Sequence, residues 1–218
     1  MAKWVLYAAI IAGISYLASP YVEMAPAAQI AWKGAGVSLL ALFAALQAKD
    51  VDGWLITAVM ACGALGDVLL DAIGLETGAI AFIAGHVIAI WLYIRHPRKT
   101  LSPSQRALAL IIVPLSMVIA YMMMRDVGMA VYTAFVAIMA ATAWISAFPR
   151  YRTGIGAMMF LASDVLIFAG LGPLQGVAWV SPAIWGLYFG GQVSIVVGVT
   201  GVLNEGRLGG VGEERALG

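Results

Sequence analysis

Residues 107–124, ALALIIVPLSMVIAYMMM, contain no charged side chain, and only Arg125-Asp126 separates them from VGMAVYTAFVAIMAATAWISA at 127–147. Neither stretch alternates apolar and polar residues with a period of two, so neither reads as a strand of a transmembrane barrel. Each approaches or matches the roughly 20 residues that a helix needs to cross the hydrocarbon core of a bilayer. In that medium only a helix or a closed barrel satisfies its own backbone, so two membrane helices are expected, joined by a short charged turn.

The same reading carried outward marks eight spans, at 4–19, 28–47, 53–73, 76–95, 104–124, 128–147, 153–171 and 180–203. The first follows Lys3 and ends at Ala18-Ser19-Pro20, the outline of a signal peptide. With seven spans after it, it is expected to stay as a helix that starts insertion. The whole is an all-α polytopic bundle over 1–203, with Asn204 to Gly218 a Gly-rich, charged, flexible cytoplasmic tail. Composition agrees, since 63% of the 218 residues are hydrophobic and 11% charged, with mean hydropathy +0.97, far from a soluble domain. Twelve Lys and Arg against 11 Asp and Glu, with no long basic run, exclude nucleic acid as a main partner. Cys62 is the only cysteine, which excludes an internal disulfide.

If the spans alternate in direction, one face receives Lys3, Lys49, Arg95, Arg98, Lys99, Arg106, Arg150, Arg152, Arg207 and Arg215, and the other receives Arg125 alone. That asymmetry predicts that both termini are cytoplasmic. Gly34/Gly36, Gly63/Gly66, Gly154/Gly156 and Gly190/Gly191 read mainly as places where helices approach closely. Gly66-Asp67-Val68-Leu69-Leu70 in span three and Ser163-Asp164-Val165-Leu166-Ile167 in span seven share a pattern. Four helices apart, they are what a parallel duplication of a four-helix unit would leave.

An ionisable group inside a bilayer is costly enough to be a functional candidate by default. The candidates are Lys33, Asp67, Asp71, His86 and Asp164, with Tyr188 and Gln192 as weaker polar members. At about 1.5 Å per residue from the charge-poor face, Lys33, Asp67, Asp164 and Tyr188 lie about 8–12 Å deep, His86 about 15 Å and Gln192 about 18 Å. One shared water-accessible cavity is therefore expected. Asp71 is one turn nearer the surface than Asp67, on the same face of the helix. Two buried carboxyls side by side cannot both ionise cheaply, so one is expected to hold a proton beside an acceptor, a pair suited to acid and base chemistry. The structural alternative is that Lys33 neutralises one aspartate and His86 bonds another, fixing helix order. His96, in Arg95-His96-Pro97-Arg98-Lys99, is expected in solvent near lipid headgroups. One intramembrane histidine and no local ligand signature give no metal site. No Gly-x-Ser-x-Gly elbow and no phosphate loop are present.

Taken in order, Trp32-Lys33-Gly34, Leu65 to Leu70, Gly78 to His86, Gly156 to Asp164 and Tyr188-Phe189-Gly190-Gly191-Gln192 resemble the YhhN family of membrane lysoplasmalogenases. The family usually carries Lys-Pro in span two and Tyr-Tyr in the last span, where this chain has Lys33-Gly34 and Tyr188-Phe189. The resemblance implies an eight-span hydrolase, without cofactor, that cleaves the vinyl ether of a lysoplasmalogen to a fatty aldehyde and glycerophospho-ethanolamine or glycerophospho-choline. It implies a lysophospholipid substrate, membrane lipids as the other partners, and a bacterial inner (plasma) membrane. In that chemistry Asp67, Asp164 and His86 are the candidate catalytic residues. Lys33, Asp71, Tyr188 and Gln192 are the candidate substrate-binding residues. The competing expectation is a proton-coupled transporter that uses the same layer as a relay.

Overall fold

The helices follow from the medium, since a chain crossing hydrocarbon must pair every backbone N–H with its own carbonyls. In the computed structural model, which describes residues 1–206, eight helices long and apolar enough to cross a membrane occur among the described residues. They are α1 (Ala2–Ser15), α2 (Pro26–Ala45), α3 (Val51–Ala72), α4 (Leu75–Arg95), α5 (Pro103–Met124), α6 (Val127–Ile145), α7 (Ile155–Leu171) and α8 (Val180–Asn204). The eight spans and the all-α class read from the sequence are those observed. Two ends differ in kind: α1 continues as a 3₁₀ helix, Tyr16–Tyr21, holding Pro20, and α7 is preceded by a π-helical turn, Arg150–Gly154. Of the tail, only the first residues, to Gly206, belong to the described part; the rest of that expectation lies outside it.

Short polar residues stop and start the helices. The carboxylate of Asp50 accepts from the Gly53 N–H at 2.8 Å to cap α3, and that of Asp126 accepts from Met129 N–H at 2.9 Å to cap α6. Ser102 and Gln105 form a reciprocal capping box at the start of α5. Between α3 and α4 the chain turns at Gly74 with φ 138°, a conformation that a residue with a Cβ rarely adopts.

Helices that follow one another in sequence pack as neighbours except α4 and α5; α4 packs on α6 instead, α5 on α6 and α7, and α8 runs against α1, α2, α3 and α7. The Trp185 indole N–H on α8 donates to the Gly13 carbonyl of α1 at 2.7 Å. At the basic face, Arg95 and His96 both hold the carboxylate of Asp52, at 2.8 and 2.6 Å. The Arg98 guanidinium donates to the carbonyls of Ser146 and Phe148 at 3.0 and 2.9 Å. His96, expected in solvent, is instead partly buried and clamped between α3 and the α4–α5 connection. The reason is Asp52, which enters the bundle at 8% exposure and draws in cations to balance it.

Where α7 meets α8 the close approach is to backbone. A Cβ at Gly156 would stand 2.7 Å from the Gly191 carbonyl oxygen and 2.9 Å from Ser194 Cβ, and a backbone carbonyl cannot give way as a flexible side chain can. Gly156→Val is expected to lose about 1–3 kcal/mol by overpacking, read as a lower melting temperature in detergent. Gly186→Ala, whose Cβ meets nothing within 4 Å, is expected to melt as the parent does. Equal melting of the two variants would mean that α7 and α8 are not this close.

Candidate functional site

The charge-poor ends of seven helical segments enclose a cavity of about 430 Å³. Its walls come from Tyr16 in the 3₁₀ extension, Lys33 on α2, Asp67 and Leu70 on α3, Leu75, Ala79 and Phe82 on α4 and Met129 and Tyr132 on α6. Ser163, Asp164, Ile167, Phe168 and Leu171 on α7, with Ser181, Ile184, Trp185 and Tyr188 on α8, complete it. Of the expected polar layer, Lys33, Asp67, Asp164 and Tyr188 line this enclosure and Asp71, His86 and Gln192 do not, and most of its walls are apolar side chains. Tyr16 and Lys33 stand on the side of α1 and α2. Met129, Ile167, Phe168 and Leu171 form an apolar wall on the side of α6 and α7.

Asp67 and Asp164 are 3% and 4% exposed, and each is bonded to a phenol. The Tyr188 hydroxyl donates to Asp67 Oδ2 at 2.8 Å, and the Tyr132 hydroxyl donates to Asp164 Oδ2 at 2.7 Å. Burial without such a partner would cost several kcal/mol, so the phenols are what allow the carboxyls to stay there. If the two four-helix halves were copies, the partner of Asp164 would come from α4, the counterpart of α8. It comes from α6, so the hydrogen bonding does not follow the repeat suggested by the shared Asp-Val-Leu motif.

Lys33 Nζ is bonded to Asp71 Oδ1 at 2.6 Å, with side-chain exposures of 14% and 27%. The lysine therefore neutralises Asp71 rather than either deep aspartate. Lys33 lines the cavity, and the pair forms its charged rim.

His86 and Gln192 lie one helical turn below Phe82 and Tyr188. The His86 ring packs edge-on to Phe160 at 5.0 Å between centroids and stacks beside Phe82 at 6.5 Å. Phe160 in turn stands 5.1 Å from Tyr188. These rings form a floor, and His86 is beneath it, on a second cavity of about 10 Å³ that it shares with Gln192, Tyr93 and Gly63. His86 Nε2 has no hydrogen-bond partner, so the structure gives it neither a bond to an aspartate nor a place on the walls of the larger cavity. Gln192 Nε2 donates to the Tyr188 hydroxyl at 3.3 Å. A Cβ at Gly63 would stand 2.7 Å from that nitrogen, so the glycine makes room for the amide.

Tyr132, Trp185 and Tyr93 were not among the residues that sequence reasoning selected for the site. The signal for Tyr132 was available, because counting from the charge-poor end of span six puts it about 6 Å deep, level with Lys33. Among the described residues no three His, Cys, Asp or Glu side chains gather in a way that could hold a metal ion.

The fold and site define a polytopic helical membrane protein built around two phenol-bonded buried carboxyls. The model of the YhhN family matches residues 28–199, from α2 into α8, and the chain belongs to that family. No curated protein and no solved structure matches the chain.

The bond between Tyr188 and Asp67 can be weighed by a double-mutant cycle in detergent. Tyr188→Phe alone is expected to cost about 1–3 kcal/mol, because it leaves a buried carboxyl short of a partner. In an Asp67→Asn background the same change is expected to cost less, with a coupling of about 1 kcal/mol. Additive costs would mean that the bond contributes nothing.

Proposed function

We propose that this protein is a membrane hydrolase that cleaves the vinyl ether of a lysoplasmalogen, taking the single-tailed lipid into the cavity that Asp67 and Asp164 line. The observation that carries the reading is the pairing itself: two buried carboxyls, each held by one tyrosine, on one largely apolar cavity of about 430 Å³. That volume is within the range of small-ligand sites. Family membership over residues 28–199 supports it.

Vinyl ether hydrolysis asks for two such groups. The O–H bond of a carboxylic acid breaks and its proton bonds to the outer alkene carbon, using the alkene electron pair, which leaves an oxocarbenium ion. The second carboxyl, as carboxylate, stabilises that cation and takes a proton from water as the water oxygen bonds to the cationic carbon. The hemiacetal hydroxyl then gives its proton to the carboxylate left by the first step while the acid formed in the second protonates the glycerol oxygen as its bond to carbon breaks, which releases fatty aldehyde and glycerophospho-ethanolamine or glycerophospho-choline and restores both carboxyls. Lys33 and Tyr16 supply donors for the phosphate at the rim, and Met129, Ile167, Phe168 and Leu171 face the hydrocarbon chain. The phenol of Tyr132 or Tyr188 keeps each carboxyl in place through the proton transfers. The Lys and Arg asymmetry supports a basic face in the cytoplasm, with the cavity then opening toward the opposite side of a plasma membrane.

Detergent-purified protein incubated with a lysoplasmalogen is expected to release fatty aldehyde and glycerophospho-ethanolamine, measured by mass spectrometry. Asp67→Asn and Asp164→Asn are each expected to lower turnover by about 10²–10⁴-fold, the usual contribution of a general acid or base. Undiminished turnover in both would take the carboxyls out of the chemistry, and no product from folded parent protein would reject the substrate. A reporter active only in the cytoplasm, fused after the last residue, is expected to be active; silence would reverse the orientation.

A further inference from the structure

The charged corner of the larger cavity has hydrogen-bonding capacity that the protein itself does not use. Lys33 Nζ makes one hydrogen bond among the described residues, to Asp71 Oδ1 at 2.6 Å, and an ammonium has three N–H groups to give. Asp71 Oδ2 takes no hydrogen bond among the described residues, although a carboxylate accepts at both oxygens. The two side chains are not equally placed. Lys33 lines the cavity and is 14% exposed. Asp71 stands off those walls, in the last turn of α3 and one turn outward of Asp67, and is 27% exposed. Outward from Asp67, a bound molecule therefore meets a cationic donor first and an open anionic acceptor second.

One kind of lipid headgroup carries the complementary charges in that order, a phosphate next to the glycerol and an ammonium beyond it. A headgroup that ends in a neutral alcohol brings the phosphate alone, which competes with Asp71 for Lys33 and gives Asp71 nothing in return. An amine headgroup balances the exchange: the phosphate takes the free N–H groups of Lys33 and the ammonium donates to Asp71 Oδ2. The kind of amine matters as well. A primary ammonium donates hydrogen bonds to a carboxylate, whereas a quaternary one has no N–H and is recognised by a cage of aromatic faces. The aromatic side chains on this side of the cavity are packed on each other instead. Tyr16 lies 4.6 Å from Trp185 and 5.9 Å from Trp32 between ring centroids. The two indole N–H groups are bonded to the end of α1, Trp32 to Ser15 Oγ at 2.8 Å and Trp185 to the Gly13 carbonyl at 2.7 Å.

We propose that Asp71 is a specificity-determining residue that accepts a primary headgroup ammonium, so that the Lys33–Asp71 pair selects phosphoethanolamine over phosphocholine and over phosphoglycerol. The proposal deepens the hydrolase reading and rests on it for the presence of a lysophospholipid in the cavity. Lys33 holds the phosphate whatever follows it, and Asp71 discriminates among the groups that follow. No covalent bond changes at this corner, so the discrimination is one of binding.

Lysophospholipids with a saturated alkyl ether in place of the vinyl ether cannot undergo the proposed hydrolysis, so their binding reads this corner apart from turnover. Three of them, alike except for ethanolamine, choline or glycerol on the phosphate, are titrated into the purified full-length protein and followed by tryptophan fluorescence. The parent is expected to bind the ethanolamine lipid about 10-fold more tightly than either of the others, the low end for a charge-assisted hydrogen bond because the pair is partly exposed. Asp71→Ala is expected to bring the three within about 2-fold of one another and to tighten the glycerol lipid, since Lys33 is released to its phosphate. Asp71→Glu, which returns the carboxylate, is expected to restore the order. A role for Asp71 limited to holding Lys33 in place would weaken all three lipids alike and keep their ratios. If Asp71→Ala does not fold, Asp71→Asn takes its place with the same expectation. Equal binding of the three by the parent, a preference for choline or glycerol, no binding of any, or unchanged ratios in the folded variant would each overturn the proposal. Aldehyde release that ignores the headgroup would leave the hydrolase reading standing alone. The expected order of binding without aldehyde release would keep the headgroup site and end the hydrolase reading.

Discussion

Hydrocarbon offers no hydrogen bonds, and every polar group in this protein is arranged around that fact. The backbone answers it by forming helices, and the few polar side chains answer it by finding one another. Asp67 and Asp164 cannot be left bare at their depth, so each takes a tyrosine hydroxyl from a neighbouring helix. Asp52 meets Arg95 and His96 at the opposite face. The first of these joins α3 to α8 and the others join successive helices, so the polar contacts are tied to the packing of the bundle.

The apolar surfaces supply the rest of the architecture. Helices in lipid gain nothing from hiding leucine from water, so shape decides where they touch. Gly156 lets α7 approach the backbone of α8, and Gly63 leaves space for the Gln192 amide to reach Tyr188. The aromatic rings of Phe82, Phe160 and Tyr188 close the cavity below. That floor separates two cavities of very different size. The upper one, about 430 Å³, is lined by both carboxyls; the lower one, about 10 Å³, is lined by His86 and Tyr93.

A proton-coupled carrier would use a similar inventory of Asp, His and Lys, and the arrangement distinguishes the two uses. A relay wants its titratable groups in sequence along a path. Here His86 is screened from both aspartates by aromatic rings, Lys33 is paired with Asp71 at the rim, and both carboxyls line one enclosure. That favours chemistry on a bound molecule.

The eight spans, and their ends to within a few residues, were legible in the sequence. Hydropathy over about 20 residues and a fixed rise per residue are local properties of a chain in a bilayer. Asp67 and Asp164 stood out for the same reason, since a charge among Leu, Val and Ile is visible without any partner. The tertiary structure alone decided who meets whom. Rotation of each helix about its axis is set by packing with helices far away in sequence, and it put Tyr132 into the site and turned His86 beneath it. It gave Lys33 to Asp71, His96 to Asp52, Tyr188 to Asp67 and Tyr132 to Asp164. Hydropathy measures how deep a residue lies; only the packed bundle sets the direction in which its side chain points.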